Sequence, residues 1–219
     1  MSDIPAQQFS HNHPLLTVRG YRALLDVLAF EGDEALSEPF SYQIEFTSAD
    51  KTLTPQQMLM QDAAFTLQAP VDQGFGVKIR QPVRTIQGVV TAFERLSASR
   101  DETHYSLTLQ PRLALLSRSH QNRIYQDMSV PDIVEHILRP RHGMRGEDFI
   151  FTLAQAYPRR EQVMQYGEDD LRFITRLLSE VGIWFRFIAD TRLNIDVVEF
   201  YDDQRHDRSE EHTSELQSP

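Results

Sequence analysis

Glu168, Asp169 and Asp170 are three consecutive carboxylates in a chain of 219 residues, and no other cluster offers as much capacity for chemistry. Hydrolytic acid/base work needs two carboxyl groups held at a defined separation across a scissile bond. Adjacent residues at a helix start splay in different directions, whereas the exposed N–H groups of a first turn favour all three. The cluster therefore reads as a helix start, with Asp170 and Arg176 expected in salt bridges or caps that fix the helix. The His11-Asn12-His13 run places two imidazoles on one side of an extended segment, yet two ligands do not make a metal site. His104, His120, His136 and His142 are scattered without H-E-x-x-H spacing and read as surface or capping residues. Ser117 and Ser119 lie near His120 but lack the glycines of a nucleophile elbow. Gly74-Phe75-Gly76 is a turn by default. Trp184, Phe185 and Phe187 could stack sugars, but their alternation beside an amphipathic segment favours core packing or a subunit contact. No catalytic residue, metal ligand or cofactor site is assigned.

The elements that carry these residues follow from periodicity. Leu171, Ile174, Leu177, Leu178 and Val181 recur at the spacing of one helix face, and Gly182 supplies the left-handed cap that ends it. Ile183, Phe185 and Phe187 then alternate with Trp184 and Arg186, and a turn at Asp190-Thr191-Arg192 leads to a second alternating run, Leu193, Ile195, Val197. One helix docked on a hairpin is expected. Upstream, Leu24 to Phe30 and Phe40 to Phe46 read as strands separated by turn-forming Glu31-Gly32-Asp33-Glu34. Thr54-Pro55 opens a short helix to Met60. Phe65 to Ala69, Val83 to Glu94 (with Ile86, Gly88, Val90 and Ala92 on one face) and His104 to Gln110 continue the strands. The fold class is mainly β: a small barrel followed by an α+β portion. In that portion Leu113 to Leu116 reads as a short helix, Ser129 caps a helix that Pro140 stops, and Phe149 to Leu153 reads as a strand. No solenoid repeat is evident.

Composition is that of an ordinary globular protein, 40% hydrophobic and 25% charged. A formal charge of −10 argues against a general nucleic-acid binder, because neutralising phosphates needs a basic surface. Arg139, Arg141, Arg145, Arg159 and Arg160 cluster among prolines and glycines and read as a solvated loop. With no cysteine there are no disulfides or thiolate sites. The N-terminus lacks a signal-peptide pattern, and no apolar run approaches the ~20 residues of a membrane span.

The segment from Arg160 to Ile183 also resembles a family. The pattern R-E-x-x-x-Q-Y-x-E-x-D-x-x-F-x-x-R-L-x-x-E-x-G-I is met by Arg160, Glu161, Gln165, Tyr166, Glu168, Asp170, Phe173, Arg176, Leu177, Glu180, Gly182 and Ile183. It is similar to the N-terminal hub region of the valine-glycine repeat protein G (VgrG) family of type VI secretion spikes, and to hubs of contractile phage tails. Leu36 to Phe46, Pro111 to Ser117 and Asn122 to Gln126 resemble the same family in order. One departure is Ser179-Glu180-Val181, where the family more often has paired acids before the glycine.

The resemblance implies a structural component without turnover or cofactor. It also implies a homotrimer docked on a hexameric tube, effectors carried on other parts of the protein, and export through the machine from a cytoplasmic start. The alternatives carried with it are a phage or prophage tail hub and, further off, a carbohydrate-binding module. The expected organisation is a tail at 1–13, a first barrel at 14–111, and an incomplete α+β portion at 112–207. Residues 208–219 resemble a translated sequencing adapter and are set aside as non-native, so the natural chain is expected to continue past 207.

Overall fold

Strands that alternate apolar and polar residues can bury one face, and six strands, most of them of this kind, meet in the first of two units into which the chain divides. The computed structural model describes residues 14–72 and 78–203. The His11/His13 pair, the Gly74 to Gly76 turn and the 208–219 tail lie outside these residues. The first unit comprises 1–32, 41–110 and 189–195, and the second 33–40, 111–188 and 196–219. Both are discontinuous, where the sequence reading draws a single boundary after 111.

In the first unit β1 (Leu15–Val18), β2 (Asp26–Asp33), β3 (Ser41–Ser48), β4 (Asp62–Asp72), β5 (Lys78–Ala98) and β6 (Thr103–Gln110) pair in the closed order β1-β2-β3-β6-β5-β4. β3 and β6 are antiparallel with Ile44 opposite Leu107 and Phe46 opposite Tyr105, and these side chains fill the interior with Phe65 and Leu109. Two expectations need correction. The strand β2 runs through Glu31 and Gly32 to Asp33 instead of turning there. Ala92 is exposed, because a register shift between Val90 and Ala92 breaks the alternation that buries Ile86 and Val90. Gly88 is required by contact, since a Cβ there would sit 2.5 Å from the Gln110 carbonyl oxygen. The short helix α1 (Pro55–Met58) forms as expected, with the N–H of its N-cap Thr54 donating to Gln57 Oε1 at 3.0 Å.

The second unit begins with a 3-10 turn, Arg112–Arg118. It continues through β7 (His120–Met128), α2 (Val130–His136), a π-turn (Ile137–Arg141), β8 (Phe149–Thr152), β9 (Arg160–Asp169), α3 (Asp170–Glu180), β10 (Trp184–Asp190) and β11 (Ile195–Tyr201). β7 and β9 form an antiparallel ribbon, and a second sheet has the order β10-β11-β8 with β8 parallel to β11. Ile133, Val134, Ile137 and Leu138 join Phe173, Ile174, Leu177 and Leu178 in one core with Phe149, Phe185 and Phe200. Pro140 does not stop its helix. A proline in a regular α-helix collides with the carbonyl four residues back, and here it sits inside the wider π-turn. β7 and β9 were not read from the sequence, because few of their residues are buried.

Candidate functional site

The carboxylate run separates into three environments as soon as β9 turns into α3. Asp169 is the N-cap, its side chain accepting a hydrogen bond from the Arg172 N–H at 2.8 Å. Glu168 lies outward and accepts from Arg176 Nη2 at 2.5 Å. Arg176 also reaches Glu180 at 3.0 Å, and Glu180 accepts from Arg160 Nη1 at 2.6 Å, so four signature residues form one surface chain of charge. The bond from Arg160 holds the Glu180 carboxyl below the usual range, with Arg176 adding to the effect.

Asp170 is different: its side chain is fully buried. Oδ1 accepts from Arg141 Nη1 at 2.7 Å and from Gln165 Nε2 at 2.8 Å, while Oδ2 lies 2.6 Å from His142 Nε2. Arg141 also donates to the Tyr125 hydroxyl at 2.8 Å. Burial pushes the Asp170 carboxyl up, but hydrogen bonds from Gln165 and His142, the Arg141 charge and the Ser119 hydroxyl together hold it below the usual range. A carboxylate so enclosed is an acceptor for the protein's own donors. Ser119 and His142 both address Asp170, so the imidazole does not stand between hydroxyl and carboxylate as a nucleophilic triad requires.

This corrects the reading of the arginine cluster as solvated loop. Arg141 and His142 are largely buried against Asp170, Arg139 pairs with Glu135 at 2.6 Å and lies 4.7 Å over the Phe149 ring, and Arg145 and Arg159 remain exposed. No local signal in a stretch rich in proline and glycine marks Arg141 or His142 as partners of a residue some thirty positions on. Met164, opposite Ile124, and Tyr166 face outward on β9, with Tyr166 79% exposed. Trp184 stacks on Tyr201 at 4.8 Å between ring centres and is half-buried, which removes the free flat ring a sugar needs. His104 lies 3.1 Å from Glu45, and His120 is at the exposed start of β7.

In the first unit a cavity of 240 Å³ is lined by Thr17, Arg19, Asp62, Gln87 and Asn194, with Arg19 and Asp62 paired across it. It falls below the ~300–1,000 Å³ of small-molecule sites. Among the described residues no three His, Asp or Glu side chains converge as metal ligands, and no helix is long and apolar enough to cross a membrane.

Comparison with known proteins says to which class the chain belongs. Residues 33–215 match the phage tail baseplate hub (GPD) family, and the chain belongs to it. Within that family it is a hub region of the VgrG type VI spike kind. It is 36% identical over 200 residues to the spike protein VgrG4b of Pseudomonas aeruginosa, covering 91% of this chain and 22% of that protein. It is 34% identical over 177 residues to VgrG3 of Vibrio cholerae, covering 77% of this chain and 16% of that protein. The chain thus spans about a fifth of the length of these relatives. Among solved structures, the E. coli protein c3393 superimposes with a TM-score of 0.75 at 56% identity, over 86% of this chain and 49% of that one. It is described as a component of the type VI secretion system similar to the T4 bacteriophage tail proteins gp27 and gp5. A prophage tail protein of Shewanella oneidensis shares the fold alone, at 14% identity and a TM-score of 0.54 over 85% of this chain and 53% of that one.

Proposed function

We propose that this chain is the docking hub of a type VI secretion spike, which assembles as a homotrimer and seats on a hexameric tube. The observation that carries this reading is the match to c3393, close in both sequence and fold and described as a component of that system. Three copies, each supplying two similar hub domains, would offer six equivalent surfaces and so match threefold to sixfold symmetry. The role is mechanical. Effectors ride on other parts of the protein, and the hub leaves the cytoplasm through the machine without turnover. Of the twelve signature residues, seven fix α3 in this reading: Asp170, Gln165 and Phe173 from within, and Arg160, Glu168, Arg176 and Glu180 from outside.

The test is assembly of the full-length protein. Mass measured by light scattering should be that of three chains, and the trimer should retain purified tube protein on a column. A monomer at micromolar concentration that ignores the tube would end this reading. The phage tail hub is the second reading, favoured by the family match and the shared prophage tail fold. Retention of a phage tube protein in place of the secretion tube protein would select it.

A further inference from the structure

Burial in the second unit repeats. Every residue of 124–140 has the same burial as the residue 40 places later in 164–180. The backbone follows suit. Ser129 and Asp169 are N-caps with φ/ψ of −76/163 and −72/162, and each side chain accepts from the N–H three residues on. At the other end Leu138 O accepts from Met144 N at 3.0 Å and Leu178 O from Ile183 N at 2.9 Å, with Gly143 and Gly182 both left-handed at φ 64 and 72. The ribbon register agrees. Ile124 pairs with Met164, and the flanking pairs Arg123 with Gln165 and Tyr125 with Val163 exchange when the two strands are interchanged.

We infer that β7-α2 and β9-α3 are two copies of one strand-helix unit, related by a local twofold axis that passes between Ile124 and Met164, and that Asp170 is the lock that holds them in one arrangement. Two of the differences between the copies meet in space. The first copy has one extra residue between Leu138 and Gly143, and the π-turn Ile137–Arg141 is where that residue is absorbed. The second copy has Asp170 and Gln165 where the first has Val130 and Tyr125. The extra residue delivers Arg141 and His142 to Asp170, while Tyr125 receives the other arm of Arg141. An apolar interface between equivalent halves would tolerate either half in either role. A buried charge that only one partner pair satisfies does not.

The test uses the full chain and two variants. Asp170→Asn keeps the shape of the lock and removes its charge. Amide exchange followed by NMR should then rise about tenfold more at 137–142 than at the equivalent cap, 178–183. An equal rise at both caps, or no rise at either, overturns the lock. Deleting Pro140 removes the extra residue, and a structure of that variant should show Leu138 to Met144 closing with the α3 cap geometry and Arg141 withdrawn from Asp170. A π-turn that persists by drawing in a neighbouring residue, or failure of this variant to fold while Asp170→Asn folds normally, overturns the insertion.

Discussion

Ser37 and Phe185 exchange two hydrogen bonds across most of the sequence: the Ser37 N–H donates to the Phe185 carbonyl at 2.9 Å, and the Phe185 N–H donates to Ser37 Oγ at 3.2 Å. β10 is an outer strand of its sheet, and exposed backbone of that kind invites pairing with another chain. The 33–40 segment occupies the edge, and Phe40 packs edge-on against Phe187 at 5.5 Å. Ser37→Ala should lower unfolding free energy by about 1 kcal/mol by leaving the Phe185 N–H without its acceptor. Denaturant titration reads the change, and light scattering should show more self-association.

Asp170 contributes to the acid limit. Its carboxyl lies below the range of an unfolded chain, so the stability it contributes is present above the unfolded value near pH 4 and is lost as pH falls through the folded value. Asp170→Asn should lower unfolding free energy by about 3 kcal/mol at pH 7, because Arg141 then stays buried without its counter-charge. The gap to the parent should close in acid. Unfolding curves at pH 7 and pH 3 with the same gap would contradict this.

Asp196 works in the opposite sense. Burial pushes its carboxyl up to about 6; the Arg112 N–H, which it accepts at 2.8 Å, pulls it down, and nearby Asp148 adds to the rise. A raised folded value favours the fold fully below about pH 4, and that contribution is lost as pH rises through 6. Asp196→Asn keeps an oxygen for Arg112 and should be more stable than the parent by about 2 kcal/mol at pH 8, with little difference at pH 4. Thermal melts at the two values decide the matter.

Gly88→Ala should be among the costly single changes in the first unit. The added Cβ meets backbone, the Gln110 carbonyl, and backbone cannot rotate aside. A loss of about 2 kcal/mol in chemical denaturation is expected.

Tyr166→Ser is expected to leave stability unchanged within about 0.5 kcal/mol, since the ring is exposed. A larger loss in the melting curve would show that this signature residue holds the fold.

What the sequence revealed and what it hid divide along one line. The α3 helix, its Gly182 cap and β6 were legible because apolar spacing alone specifies them. The closed sheet followed from several such strands at short intervals. The lock was not legible, because Asp170 looks locally like any acid in a first turn, and its partners lie in a stretch whose composition signals solvent. The paired strand-helix units stayed hidden because they share burial and caps but few residue identities: Ser129 answers Asp169, Val130 answers Asp170, and Tyr125 answers Gln165. Physical role repeats there while chemistry does not.

The strand order β10-β11-β8 also constrains how the chain folds during synthesis. β8 leaves the ribosome well before β11, and it pairs with β11 in parallel only after β9, α3 and β10 have intervened. Its edge therefore waits for a partner to slide in beside it. Such non-local pairing is slow and leaves backbone exposed meanwhile. Overexpression faster than this closure should feed aggregates, and slower translation at low temperature should recover folded protein.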